Sequence, residues 1–308
     1  MKISVVIPLY NKGPYIEACL RSVCAQRRPA DEIIVVDDGS TDNGAAIVSA
    51  LGIANLRLIR QANGGVSAAR NAGIDAARGD IVCFLDADDC YLPEFLASIA
   101  ALAGDYPEAA VLATAYLLRR PDGTQDRNRL HHSLHGRGLV GDYYAAWNRS
   151  CFFFTSSVAI RRSVLMDNRF RFPAGERLAE DQDLWFRLAE HFPVAFEPVP
   201  LAEYRTGVPG SATSASAVGD ELPAFRRLYE RLRTGQVPRH LRRSAARLYA
   251  SHLLNVANVR RARGDHRGAI TMVLRKPAVA NPGYWLRTFA RALWPVASER
   301  TGGNRAGA

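Results

Sequence analysis

Through its first hundred residues the chain alternates short runs of β-branched and apolar residues with stretches of helical periodicity, and few folds are open to such a pattern. The runs lie at about 3–9, 32–36, 56–60 and 80–85, and the helical stretches near 14–26, 42–51, 66–77 and 93–103. Strands that alternate with helices predict a parallel sheet with crossover helices packed on it. Each run gives way to a polar or glycine-rich segment: Tyr10-Asn11-Lys12-Gly13, then Asp37-Asp38-Gly39-Ser40-Thr41-Asp42, then Gln61-Ala62-Asn63-Gly64-Gly65, and last Asp86-Ala87-Asp88-Asp89. Four such loops on one edge of a parallel sheet form a ligand crevice, because open α/β sheets bind at the carboxyl ends of their strands.

The fourth loop is the most chemically loaded. The apolar run Asp80-Ile81-Val82-Cys83-Phe84-Leu85 ends in three carboxylates within four positions. Charges crowded in this way repel one another and favour a nearby cation. Strand alternation lets Asp86 and Asp88 share a direction while Asp89 leans elsewhere. A divalent ion of the magnesium or manganese kind, held by one or two carboxylates and completed by water and phosphates, suits the cluster. The Asp-x-Asp pattern alone is not specific, since it recurs at Asp181-Gln182-Asp183.

With 308 residues there is room for one large α/β domain and an appendage. Lys and Arg exceed Asp and Glu by 10, but unevenly: from Glu221 onward there are 18 basic residues against 4 acidic ones. The basic excess therefore belongs to the tail. It suits an anionic membrane surface or an acidic glycan, and equally a set of solvated helical faces; no nucleic-acid partner is expected. No run is long and apolar enough to span a membrane, and the start Met1-Lys2-Ile3-Ser4-Val5-Val6 is too β-branched for a signal peptide. The expected location is the cytoplasm, with a peripheral position at the inner face of the membrane. Cys19, Cys24, Cys83, Cys90 and Cys151 form no Cys-x-x-Cys pair and read as reduced thiols.

Beyond residue 105 the pattern changes. Ala109–Arg119 and Phe152–Arg162 read as strands, separated by a turn at Pro121-Asp122-Gly123 and a polar excursion that carries His131, His132 and His135 as surface residues. Glu180–His191 reads as a helix and Val194–Tyr204 as a strand. The Gly/Ser/Thr-rich stretch Gly207–Gly219 is expected to be mobile and to close a first domain at residue 219. Residues 220–308 are expected to form a basic helical region, with helices at Leu222–Arg233, His240–Arg263, Arg267–Lys276 and Tyr284–Leu293. Arg263–Ile270 looks like one helical-hairpin turn of the tetratricopeptide kind.

Five segments agree in order and spacing with a known family: Ser4–Asn11, Val36–Asp42, Gly65–Gly73, Asp86–Asp89 and Glu180–Trp185. Over roughly residues 1–210 the chain resembles the inverting, metal-dependent, nucleotide-sugar glycosyltransferases of family 2. The resemblance implies the GT-A fold, an α/β nucleotide-diphospho-sugar transferase architecture with a Rossmann-like mixed sheet, followed here by the helical region. It implies Mn2+ or Mg2+ as cofactor, a nucleotide-sugar donor, preferably a UDP-sugar, and a glycan or lipid-linked saccharide acceptor in surface-polysaccharide synthesis. Asp38 then reads the base, Asp86 contacts ribose or sugar, Asp88 holds the metal, and Asp181 is the base that deprotonates the acceptor.

The residues carry their own chemistry beside the resemblance. Pro8 and Tyr10 end the first strand with a rigid bend and an aromatic face that suits a nucleobase, or equally a half-buried strand-end tyrosine. Arg70, one turn into a helix behind small residues, reaches either the donor or solvent. Asp42 reads as an acidic N-cap, and Asp89 either joins the ion or shapes the turn. One departure stands out. Family members often carry Tyr-Arg-x-His after the last strand, where this chain has Tyr204-Arg205-Thr206-Gly207; Arg205 is left as the candidate for diphosphate or acceptor. A sugar nucleotidyltransferase would have a Gly-x-Gly-x-Arg loop after the first strand, which is absent. That enzyme class and a non-catalytic nucleotide- or glycan-binding module are the two alternatives.

Overall fold

A computed structural model describes residues 1–176, 178–211 and 219–293. The first four strands are β1 (Ile3–Leu9), β2 (Glu32–Asp37), β3 (Leu56–Arg60) and β4 (Ile81–Phe84), interleaved with helices α1 (Gly13–Cys24), α2 (Gly44–Ala50) and α3 (Val66–Ala76). All seven residues of β1 and all four of β4 are buried, as befits central strands covered on both faces. β1 pairs in parallel with β2 and β4, and β2 with β3. Helix α3 comes close to β1 at Gly73, where a Cβ atom would lie 2.2 Å from Val6 Cγ1. Only glycine fits there, which explains why the helix that follows the third loop can press its backbone onto the sheet.

The second half turns the sheet from parallel to mixed. It adds β5 (Cys90–Tyr91), α4 (Phe95–Asp105), β6 (Val111–Arg119), β7 (Gln125–Arg127), β8 (Gly138–Leu139), α5 (Tyr143–Arg149), β9 (Val158–Arg161), α6 (Arg162–Asp167), α7 (Glu180–His191) and β10 (Val194–Arg205). The strand order is β3-β2-β1-β4-β9-β6-β10-β5, with β9 antiparallel to both β4 and β6 and β10 parallel to β6. Along β10 the register shifts between Glu197 and Ala202. Pro198 and Pro200 lie in that stretch, and a residue without an N–H cannot keep the ladder regular.

Most expected elements fall within two or three residues of their sequence-derived bounds, and Glu180–His191 matches at both ends. The main difference is at Phe152–Arg162, where only Val158–Arg161 is strand and Thr155–Ser157 forms a turn of 3-10 helix. There the Ser157 hydroxyl accepts from the Phe154 N–H at 3.0 Å, a local bond that competes with strand pairing. Phe152 and Phe153 still point inward, into an aromatic cluster with Tyr143, Trp147, Trp185 and Phe196.

The chain divides into two compact units: residues 1–216 with 222–245, and residues 217–221 with 246–308. Helix α8 (Pro223–Arg233) thus belongs with the first unit rather than with the tail, so the division expected after residue 219 is not the one the chain makes. The cause is chemical. Phe225 meets Phe186 of α7 edge to face, Arg227 bonds Asp183 and Glu176, and Arg231 bonds Glu190. The second unit takes in most of α9 (Arg242–Ala262), α10 (His266–Leu274) and α11 (Pro282–Leu293). Asp265 caps α10 through the Gly268 N–H, and Trp285 stacks on Phe289 while donating to the Val273 carbonyl. The expectation of mobility between 207 and 219 falls mostly on residues 212–218, outside the described residues.

Candidate functional site

The loops at the carboxyl ends of β1, β2 and β3 are tied to one another by side chains. Asn11, in the left-handed region at φ 49°, accepts from the Thr41 N–H at 2.8 Å and donates its own N–H to Ser40 Oγ. Asp42 accepts from the Gly13 N–H with one oxygen and from the Gly44 N–H with the other. It therefore holds the starts of α1 and α2 together, a wider task than an N-cap. Asp37 receives the Ser40 N–H. Asp38 is 2% exposed and accepts from Gln61 Nε2 and the N–H groups of Gly64 and Gly65. Three donors on one carboxylate make it the pin between the second and third loops. Pro8 is buried in β1 beside Val36, whereas Tyr10 projects from the strand end with 48% of its surface exposed.

At the end of β4 each carboxylate of the cluster has its own partner. Asp86 receives Arg70 at 2.7 Å, and the same guanidinium donates to Glu180 at 2.9 Å. Arg70 is 3% exposed and lies 5.2 Å from the Phe172 ring. It is thus a buried clasp between the strand end and the start of α7, not a surface arginine. Burial alone would lower the Arg70 pKa, but Asp86 and Glu180 together raise it, so its charge is secure. Burial, and then the neighbouring Asp181, raise the pKa of Glu180, with Arg70 opposing.

Asp88 is paired with Lys12, Nζ to Oδ2 2.7 Å. Asp89 is 2% exposed and accepts from Ser156 Oγ at 2.6 Å and from the Arg205 N–H at 2.9 Å. Ser156 in turn accepts the Asp86 N–H. Burial and the charges of Asp88 and Asp86 push the Asp89 carboxyl well above the usual carboxylate range. Of its two sequence readings, Asp89 does the turn-shaping one, joining β4, the 155–157 turn and the end of β10.

Asp181 is the second residue of α7, which follows Ala179 in left-handed geometry at φ 59°. Its Oδ2 accepts from Thr155 Oγ1 at 3.0 Å and its Oδ1 from the Gln182 N–H at 2.7 Å. The helix start carries Glu180, Asp181 and Asp183. Arg205, at the end of β10, lies 5.2 Å from the Tyr15 ring, on the wall of a cleft of about 410 Å3 that Arg119, Arg120 and Thr206 also line.

The structure therefore gathers Arg70, Asp86, Asp88 and Asp181 around one strand end, with Tyr10 and Asp38 on the neighbouring loops. Among the described residues no group of three or more His, Cys, Asp or Glu is arranged to hold a metal ion. Asp88 nonetheless fits one, since an ion of the magnesium type needs only one or two carboxylates beside substrate phosphates; its partner is a single lysine, whereas Asp86 and Asp89 are bonded to Arg70 and to Ser156 and the Arg205 N–H. Sequence reasoning missed Lys12, Thr155 and Ser156 and gave Glu180 no role of its own. The run Thr155-Ser156-Ser157 was the available signal: three hydroxyls inside an apolar stretch require partners.

Comparison with known proteins fits this geometry. The family model described as glycosyl transferase family 2 matches residues 4–169. An uncharacterized glycosyltransferase of Nostoc sp. is 36% identical over 168 residues, 54% of this chain and 52% of that protein. YibD of Escherichia coli, also named an uncharacterized glycosyltransferase, is 35% identical over 180 residues, 56% of this chain and 52% of its own. The chain thus spans about half the length of these curated relatives. Among solved structures, TarS of S. aureus in complex with UDP-GlcNAc superposes with a TM-score of 0.69 at 18% identity, covering 94% of this chain and 91% of that one. The mannosyltransferase PcManGT from Pyrobaculum calidifontis, in complex with GDP-Man and Mn2+, gives 0.60 at 20% identity, covering 95% and 87%. At these identities the likeness is one of fold, the GT-A architecture with its helical C-terminal region.

Proposed function

The chain belongs to glycosyl transferase family 2, and on that premise we propose that it is an inverting glycosyltransferase. It moves a sugar from a nucleotide-sugar, preferably a UDP-sugar, to a hydroxyl of a glycan or lipid-linked saccharide in surface-polysaccharide synthesis. The observation that carries this reading is the Arg70 clasp. One buried guanidinium joins Asp86, at the strand end that faces a donor, to Glu180, the neighbour of the base. The donor side and the base side of the crevice are thereby held in fixed relation, as a direct displacement requires.

In this reading Tyr10 covers the base, and Asp38 holds the loops that shape the nucleotide pocket. Asp181 takes the proton of the acceptor hydroxyl as its oxygen attacks the anomeric carbon from the face opposite the nucleotide. The new C–O bond forms as the bond to the diphosphate oxygen breaks, and the electron pair leaves with the diphosphate. Thr155 fixes Asp181 Oδ2 by a hydrogen bond, leaving its second lone pair for the proton. Asp88 is the residue that would hold Mn2+ or Mg2+, which supplies charge neutralisation to the departing diphosphate. The work takes place at the cytoplasmic face of the membrane, which the basic second unit touches peripherally.

Thermal melting of the full chain against a panel of sugar nucleotides, with manganese or with chelator, tests the reading. A donor that binds the native state at a hundredfold excess over its Kd adds about 2.7 kcal/mol of apparent stability. A UDP-sugar is expected to raise the Tm, and more so with manganese. If no sugar nucleotide moves the transition in either condition, the proposal fails.

A further inference from the structure

We propose that the ammonium of Lys12 is a tethered counter-ion that competes with divalent metal for Asp88, so that a metal ion enters only by displacing it. The inference rests on the reading of Asp88 as the carboxylate that faces the donor's diphosphate. The Lys12 backbone is fixed: its carbonyl accepts the first N–H groups of α1, from Tyr15 at 2.9 Å and Ile16 at 3.0 Å. The residue before it, Asn11, has left-handed geometry and is bonded to Thr41. The side chain is thus sent from a rigid turn toward the end of β4.

There Nζ lies 2.7 Å from Asp88 Oδ2, with the two side chains 15% and 16% exposed. The ammonium is out of solvent, and at 2.7 Å its partner is the Asp88 carboxylate, a charge-assisted contact. Two further cations frame the site. Arg205 shares the Tyr15 ring with Lys12, at 5.2 and 5.9 Å from its centroid, and Arg70 neutralises Asp86. Asp88 is thus the carboxylate of the cluster that a metal ion has to win, and Lys12 holds it.

A divalent ion and an ammonium on one carboxylate repel each other, and the effect is strong where water is scarce. A lysine on its four-carbon stem can swing aside where an arginine bound in a fork cannot. Asp86 and Asp88 thus each have a cation before a donor arrives, and an ion that comes with a diphosphate is favoured over a free one because the phosphates contribute to expelling Lys12.

Titration of the full chain with Mn2+ alone, followed by electron paramagnetic resonance of the free ion, tests this without any turnover. Lys12→Gln is expected to bind Mn2+ at least about tenfold more tightly than the unaltered chain, the factor given by relief of a modest repulsion. Lys12→Arg keeps a cation in place and is expected to show no such gain. The gain should vanish in the double variant Lys12→Gln, Asp88→Asn, and a Lys276→Gln control in the second unit should leave affinity unchanged. Equal or weaker Mn2+ binding by Lys12→Gln overturns the proposal, as does a gain that survives loss of the Asp88 charge. Failure of the underlying reading is seen separately: a wild-type chain that binds no sugar nucleotide, with metal or chelator, removes the donor assignment whatever the Mn2+ titration gives.

Discussion

Asp181, the proposed base, has its geometry set by a partner far away in the chain. A hydrogen bond from Thr155, 26 positions earlier, sets the direction of its carboxylate. Asp181→Asn keeps size and hydrogen bonding but cannot take a proton. It is expected to lower turnover by about 10²–10⁴ while donor affinity stays nearly constant. Steady-state kinetics combined with calorimetric donor binding checks both halves, and normal turnover in this variant would remove the assignment. Asp86, Asp88, Arg70 and Asp181 could be singled out as candidates because each sits at a fixed offset within a local motif. Their pairings could not. Arg70 and Glu180 are separated by 110 positions and Ser156 and Asp89 by 67, and such contacts arise only once β9 is inserted beside β4 in the sheet. Nothing local distinguished Lys12 from an ordinary loop lysine.

The same limit applies to elements. Helix α7 was readable to its ends because its acids gather at the start and its apolar residues recur at helical spacing, yet its neighbour α8 was assigned to the tail because the Gly/Ser/Thr-rich stretch before it reads as a domain boundary. Periodicity reports that a helix has an apolar face, not which partner covers it. In the structure the arginines of α8 answer acids of α7 that are almost fully buried: Asp183 is 2% exposed and Glu190 7%. Arg227 donates Nε to Asp183 and both terminal nitrogens to Glu176, just ahead of the turn that leads to Asp181. Arg227→Met should destabilise the first unit by about 1.5–3 kcal/mol, the range for a hydrogen bond to a charged group. Urea unfolding measures it, and a shift within error would show that Arg187 and Arg231 suffice for Asp183. In α9, burial lowers the pKa of His252 to about 4, with Glu221 opposing and Arg275 reinforcing. The unfolded chain gains a proton below pH 6.5 that the folded one refuses until about pH 4, so stability falls as pH drops through that window and is intact above it. The full effect is at most about 3 kcal/mol. Comparing melting of the unaltered chain and His252→Gln from pH 7 to 4.5 isolates it: the two should diverge as pH falls, and parallel curves would contradict the assignment.

At the scale of the whole molecule, the charge asymmetry looks different once its partners are known. Part of the basic excess after residue 220 is internal, since Arg227 and Arg231 neutralise acids of α7 and Arg275 bonds Glu221. The tail aromatics expected at a membrane surface are partly engaged too: Trp285 stacks on Phe289, and Tyr284 bonds Asn255 and Asn258; Trp294 lies outside the described residues. The exposed apolar side chains are instead Leu274, Val279 and Leu286, at 63%, 51% and 61%, in the same stretch as Lys276, Arg287 and Arg291. No helix among the described residues is long and apolar enough to cross a membrane. Basic residues near an anionic bilayer contribute about 1 kcal/mol each and do so less at high salt. The full chain is therefore expected to sediment with vesicles that contain anionic lipid, to release them as salt rises, and to bind about tenfold or more weakly when Lys276, Arg287 and Arg291 are changed to Glu. Replacing Leu274, Val279 and Leu286 by Ser should weaken the same binding without altering its salt dependence, because apolar insertion is not screened. Equal sedimentation with neutral vesicles, or none with anionic vesicles at low salt, would leave the second unit a structural or protein-docking element and would move the search for the acceptor away from the bilayer.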